Sequence, residues 1–327
     1  MKALCVALPL LLLTACGRYA DFTLPALSGG NPNQTFVFDE HPAPVLSRDA
    51  SSDVLNPSVV QSPSGLLNFY SAFDGRAWHT ALASSRDGFS WKTQAVILSP
   101  DPRTWEDSYI AANGSALFSG GLYRYWYQAG PKSSPRIGLA TSSNGRAWRM
   151  RPAPVLAPGP YMSWDERAVA DPYVIRAGGA FYMYYLGQDR ANPPRQRIGL
   201  ARSADGLHWT KLRANPVLDL DDGANVGEPA VWQSHGFYWM LYTVRATDET
   251  RYLRLARSTD GVHWSRLPLV IHGSQPWDSQ VICDPTVLVE AGEIRVWFGG
   301  GDRPSPDERL DGQIGYGTLR PAPMASQ

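Results

Sequence analysis

The chain has 327 residues, its 30 Lys+Arg are balanced by 30 Asp+Glu, and 26 of the basic residues are Arg. Zero net charge offers no basic face for a polyanion, which argues against a nucleic-acid partner; 43% hydrophobic and 18% charged residues exclude a disordered chain and a multispanning membrane protein. Gly and Pro together make 57 residues, enough punctuation to break long helices, so many short strands and turns are predicted.

The first segment, MKALCVALPLLLLTACG, has Lys2 and then an apolar run from Ala3 to Leu13 that is too short to span a bilayer as a mature helix. It has the form of a secretion signal. Its end, Leu13-Thr14-Ala15-Cys16, resembles the bacterial lipobox, which implies removal of residues 1–15, lipidation of Cys16 and an extracytoplasmic, membrane-anchored protein at the outer membrane or cell surface. Cys5 would then be discarded and Cys16 acylated, leaving Cys283 without a disulfide partner. Residues 16–34, with Ser28-Gly29-Gly30-Asn31-Pro32-Asn33, are expected to form a flexible tether.

From residue 35 to 320 the sequence repeats. A polar residue opens a β-branched run at Asn56, Asn113, Asp171, Glu228 and Asp284, at spacings of 57, 58, 57 and 56. Each unit then shows an aromatic alternation such as LYRYWYQ or FYMYYLG, a small-residue strand such as RIGLA, and a turn and strand such as SADGLHW at Trp209. Four antiparallel strands per unit, repeated radially, predict one all-β domain, a five-bladed β-propeller. The fifth unit lacks its fourth strand, and Phe36 to Leu46 ends in the same PVL signature that closes other units. This strand is therefore expected to complete blade five and close the ring, leaving residues 321–327 as a tail.

In such a fold the connections into the first strand and from the second to the third strand open on one face. The five polar residues would converge there, and three carboxyls in close quarters repel one another, so that one keeps a proton beside an ionised neighbour. Glycoside cleavage needs that combination, which makes Glu228, Asp171 and Asp284 the catalytic candidates, with Asn56 and Asn113 as substrate ligands. Long polar connections add Gln188, Arg245 and Arg303. An aspartate stands six residues before four of the landmarks, at Asp107, Asp165, Asp222 and Asp278, and Trp105, Trp164 and Trp277 stand close to three of these. Such indoles either stack on sugar rings or, since they repeat, wedge the blades apart. The six histidines have no zinc-ligand spacing, so no metal is called for by the residues, although the central channel is a candidate seat for a structural calcium ion. A monomer is expected.

The DP or EP openings, aromatic second strands and RIGLARSxDGxxW closings resemble the propeller glycosidases of families 43, 32, 68 and 130, family 43 most closely. The resemblance implies a carbohydrate substrate, of arabinan or xylan type, and an Asp base, a tuning Asp and a Glu acid at three successive inner strands. Carried over, these are Asn113, Asp171 and Glu228. An amide cannot serve as the base. Asp107 or Asp284 could replace it; alternatively a family 130-like phosphorolysis would use Arg245 or Arg303 to hold phosphate, or the propeller only binds glycan.

Overall fold

Strand formation follows the aromatic and β-branched alternation throughout, and among the described residues no helix occurs. The structure, a computed structural model, describes residues 19–48, 53–220 and 222–322. The expected signal peptide, Cys16 and residues 323–327 lie outside them.

Five meanders follow one another. The first is β3 (Asp53–Ser62), β4 (Gly65–Phe73), β5 (Trp78–Ser85) and β6 (Lys92–Leu98); the second is β7 (Ile110–Ser119), β8 (Leu122–Ala129), β9 (Arg136–Ser142) and β10 (Arg149–Met150). The third is β11 (Ala168–Ala177), β12 (Ala180–Gln188), β13 (Gln196–Ser203) and β14 (Thr210–Leu212). The fourth is β15 (Asn225–Ser234), β16 (Phe237–Arg245), β17 (Arg251–Ser258) and β18 (Ser265–Ile271), and the last runs through β19 (Val281–Glu290), β20 (Glu293–Gly301) and β21 (Gln313–Pro321). The N-terminal strand β2 (Phe36–Glu40) pairs antiparallel with β21, from Phe36↔Pro321 to Glu40↔Gly317, in the place of a fourth strand. Parallel contacts join β5 to β7 at Trp78↔Ile110 and β17 to β19 at Arg251↔Val281, so the meanders form three hydrogen-bonded sheets rather than five separate ones.

Neighbouring units are coupled by a repeated device. In the SxDG turns a serine hydroxyl accepts the glycine N–H (Ser85 from Gly88, 2.8 Å) and the Asp caps two further N–H groups. The glycine carbonyl then accepts from an aromatic of another unit: Trp126 Nε1 to Gly206 O at 2.9 Å, Tyr184 Oη to Gly261 O at 2.7 Å, and Trp297 Nε1 to Gly88 O at 2.8 Å. The last of these joins the fifth unit to the first, and β19 packs beside β3 as the other inner strands pack beside each other.

The segment read as a flexible tether is docked along residues 19–34. β1 (Tyr19–Ala20) pairs in parallel with β14, Leu24 is buried, and Leu24 and Leu27 donate backbone N–H groups to Asp260 and Thr259. Its apolar residues, rather than its Gly-Asn-Pro content, decide the outcome, because Phe22 and Leu24 cover apolar surface of the third and fourth units.

Trp105, Trp164 and Trp277 serve packing. Each indole lies over glycine: Trp105 on Gly138, Trp164 on Gly187 and Gly199, and Trp277 on Gly300 and Gly315. The fourth unit has no such indole, and there Arg254 stands in the register place of Gly199. The residue after each indole is a buried acid: Glu106 accepts from Tyr127 Oη, and Asp165 from Tyr185 Oη at 3.1 Å and from Lys211 Nζ at 2.5 Å. The constant six-residue spacing that singled out Asp107 therefore missed by one position. Glu106 holds the buried place, while Asp107 only accepts from Ser108 beside it.

In the fifth unit Phe298 replaces the tyrosine, and Glu40 occupies on β2 the register position that Lys211 holds on β14. Asp278 is fully buried and faces Glu40; Asp278 Oδ2 and Glu40 Oε1 have no donor besides a proton shared between them. Burial, then the hydrogen bond with Glu40, pushes the Asp278 carboxyl up to about 7. An acid whose folded pKa lies above its unfolded value loses stabilisation as pH rises between the two, here from about 4 to 7. Asp278→Asn, whose amide donates an N–H that does not titrate, is expected to raise the thermal midpoint at pH 8 by several degrees and by less at pH 5, in differential scanning calorimetry. Gly199→Ala, whose methyl would lie 2.6 Å from Trp164, is expected to cost roughly 1–3 kcal/mol in denaturant unfolding.

Candidate active site

The five landmark residues share one backbone conformation. Asn56, Asn113, Asp171, Glu228 and Asp284 have φ between 45° and 52°, and each sits where the inner strand shifts register against its neighbour. A bulge of this kind re-aims one side chain out of the strand's alternation. Asn and Asp tolerate the left-handed region, and a following proline in four of the five prevents the ladder from re-forming there. Glu gains no such local advantage, so Glu228 is held in it by its surroundings.

All five side chains reach a cavity of about 610 Å³ that opens on the predicted face. They also line a second space of about 30 Å³, shared with the prolines that follow four of them. Gln188 and Arg245 line the larger cavity, as predicted. Arg303 does not: its guanidinium binds Asp311 at 2.8 Å and is largely exposed. Asp107, Trp105, Trp164 and Trp277 are absent from the lining too, because the indoles are spent on the glycines and Asp107 on its own turn.

The ring is hydrogen-bonded from within. Asn113 accepts from Ser71 Oγ at 2.8 Å and donates Nδ2 to Asp171 Oδ1 at 3.2 Å; the Asp284 N–H donates to Glu228 Oε2 at 3.2 Å; and the Cys283 thiol donates to Asp284 Oδ2 at 3.1 Å. Burial, then the Glu228 charge, lifts the Asp171 carboxyl to about 7. The same two causes, with Asp171 added, push Asp284 well above the carboxylate range. Against them stands Arg251, 7% exposed, whose Nη1 lies 4.0 Å from Cys283 Sγ and whose Nη2 donates to the carbonyls of Ser305 and Pro306 at 2.9 and 2.7 Å. Burial opposes its charge, but the acidic groups around it, Glu228 among them, outweigh burial and hold the guanidinium firmly protonated.

Ligand atoms of Glu228, Cys283 and Asp284 lie within 4.8 Å of one another. The set does not suit the calcium ion considered for the channel: calcium takes six to eight oxygens, whereas here one ligand is a thiol held protonated by burial and the cluster is already compensated by a guanidinium. The arrangement instead offers a carboxylic acid that keeps its proton to neutrality next to a second carboxyl, in a concave polar site.

Sequence reasoning missed Arg251, Tyr109, Lys132 and Asp307, which also line the cavity. Arg251 pairs with Arg245 at the start of the β16–β17 register, so its place was legible as the position opposite a predicted site residue. Nothing local marks Lys132 or Asp307, which lie in irregular connections.

The family model described as "Glycosyl hydrolases family 32 N-terminal domain" matches residues 67–283, and the chain belongs to this family. Family 32 is among the four families that the motifs point to. The uncharacterized protein MT1551 of Mycobacterium tuberculosis is 28% identical over 225 residues, 64% of this chain and 75% of its own length. The fold is similar to that of BT0996 solved in an RGII complex (TM-score 0.74, 18% identity, 94% of each protein covered). It is also similar to the Bombyx mori family 32 β-fructofuranosidase BmSUC1 (TM-score 0.65, 16% identity, 90% of this chain and 64% of that one). The chain is thus an all-β, propeller-type member of the glycosidase superfamily.

Replacing Asn113 by Asp removes the donor to Asp171 and adds a like charge. The variant Asn113→Asp is expected to move the Asp171 titration above its value near 7, read by carboxyl-carbon NMR over a pH series.

Proposed function

We propose that the chain closes into a five-bladed propeller and works as a glycoside hydrolase, with Asp171 and Glu228 as the acid/carboxylate couple. The observation that carries this reading is the proton that Asp171 keeps up to about pH 7 beside Glu228, at the floor of an open polar cavity. Asp284, buried and bonded to the Cys283 thiol, is a third carboxyl, and burial, then the Glu228 charge, push it well above the carboxylate range, which limits repulsion in the ring. The substrate is a poly- or oligosaccharide fragment, of arabinan or xylan type. Ring closure is supported by the β2–β21 pairing and the Trp297–Gly88 bond.

The enzyme works outside the cytoplasm, held to a membrane by a lipid on Cys16; the Leu-Thr-Ala-Cys sequence supports this. Two residues separate Cys16 from the docked Tyr19, a span of at most about 11 Å, so the body would lie close against that membrane.

The test is a panel of 4-nitrophenyl glycosides with arabino-, xylo- and manno-oligosaccharides, run with and without inorganic phosphate. Hydrolysis by the wild type is expected, with kcat at least about 100-fold lower in Glu228→Gln. An Asp171 that must be protonated makes activity present below about pH 7 and lost as pH rises through it; Asp171→Asn is expected to be slow and to lack that alkaline limb. Sugar phosphate formed only with phosphate present would replace hydrolysis by phosphorolysis. Glycan affinity without turnover would reduce the protein to a binding module.

A further inference from the structure

The cavity holds a cation that the chain itself does not neutralise. Four basic side chains line it: Lys132, Arg167, Arg245 and Arg251. Lys132 is paired with Asp307 at 3.1 Å and Glu308 at 3.0 Å, Arg245 binds Glu249, and Arg251 donates to the carbonyls of Ser305 and Pro306. Among the described residues the Arg167 guanidinium has no ion pair and no hydrogen-bond acceptor, although the residue is half-buried. A guanidinium in that position gives up hydration without gaining a partner inside the chain. Its complement is therefore sought in a ligand.

The backbone around Arg167 is fixed. Its N–H donates to Gln188 O at 2.9 Å, and Val169 N–H donates to Pro135 O at 3.2 Å, which ties the start of β11 to the β8–β9 connection. Asp189, which follows Gln188, is taken by Arg197 at 2.8 Å. The remaining polar lining is rich in amides: Gln188 and Gln196 are register partners at the mouth of the third unit, and Gln128 stands at the end of β8 with a buried Oε1 that has no donor. Amides donate and accept, which suits sugar hydroxyls.

The charge balance selects the ligand. One unpaired guanidinium matches one negative charge, and its planar fork matches a carboxylate through two parallel hydrogen bonds. A phosphate dianion would bring a further negative charge into a cavity that already holds Asp171, Glu228 and Asp284, with Lys132 and Arg245 already paired. Arg167 precedes Asp171 by four residues, roughly 13 Å of strand, so recognition at the mouth and chemistry in the ring are separate tasks.

We infer that the cavity takes an acidic oligosaccharide and that Arg167 selects it, binding the carboxylate of a uronic acid unit while Gln188 and Gln196 bind hydroxyls beside it; this deepens, and rests on, the carbohydrate reading above. Arg167 is a specificity residue and takes no part in bond cleavage.

The experiment uses the full chain in isothermal titration calorimetry with digalacturonate, trigalacturonate and glucuronosyl-xylotetraose, each compared with its carboxyl-reduced form, in which a primary alcohol replaces the carboxylate. At least one acidic probe is expected to bind about 10- to 100-fold more tightly than its reduced form, as a charge-assisted hydrogen bond allows. Arg167→Gln is expected to erase that difference by weakening the acidic probe alone, and Arg167→Lys, which keeps the charge without the fork, to fall between. Since the guanidinium holds nothing in the fold, both variants are expected to keep the wild-type thermal midpoint. Acidic probes that bind no more tightly than their reduced forms, absence of binding included, would overturn the inference, as would a preference that survives Arg167→Gln. Inorganic phosphate bound through Arg167 with no preference for uronates would overturn it too. None of these readouts depends on turnover: hydrolysis of neutral glycosides without an acidic preference leaves the hydrolase reading standing alone, and an acidic preference without hydrolysis leaves the binding site and removes the enzyme.

Discussion

Three carboxyl groups that converge in one half-buried ring repel one another, and much of the site is arranged around that constraint. Burial and mutual repulsion push Asp284 well above the carboxylate range and lift Asp171 to about 7. Arg251 supplies the compensating charge. The two amides are part of the same solution: Asn113 gives Asp171 a hydrogen-bond donor where a fourth carboxylate would add repulsion. A buried charge is tolerated when it is paired and bonded, and here one guanidinium serves both the ring and the connection that covers it, through the Ser305 and Pro306 carbonyls.

The bulges make this convergence possible. Without the register shift at each landmark, strand alternation would turn the polar residue and its neighbours to opposite faces of the sheet. One left-handed residue per inner strand sends a single side chain into the cavity while the rest of the strand stays paired. The inner strands are also tied to each other: Ala116 N–H donates to Ser58 Oγ and Val174 N–H to Ser115 Oγ, at 2.8 and 2.9 Å. Positions that carry chemistry are therefore held by residues that carry none.

Repetition in the sequence had two meanings that periodicity could not separate. The landmark positions repeat because the fold brings every inner strand to the same place, and their chemistry differs from unit to unit: Asn, Asn, Asp, Glu, Asp. The indoles at 105, 164 and 277 repeat because each fills the same gap over glycine, and their chemistry is constant. The Glu40–Asp278 pair shows the cost of completing the last unit with a strand from the other end of the chain, since β2 brings a carboxyl to the register where β14 brings a lysine.

Local order determined what the sequence made legible by itself: strand positions, turns, the inner-strand landmarks, the use of Phe36 to Leu46 as an added strand, and the family. These depend on patterns of a few residues repeated near every 57 positions, and such patterns survive without knowledge of neighbours. Tertiary structure alone decided the docking of residues 19–34, the substitution of Glu106 for Asp107, the packing role of the tryptophans, and the entry of Arg251, Lys132 and Asp307 into the site. In each case the deciding quantity is a long-range contact: Leu24 with the fourth unit, Trp164 with Gly199, Arg251 with the connection some 55 residues further along the chain. Charge compensation in a buried ring depends on distance in space, which spacing along the chain does not encode.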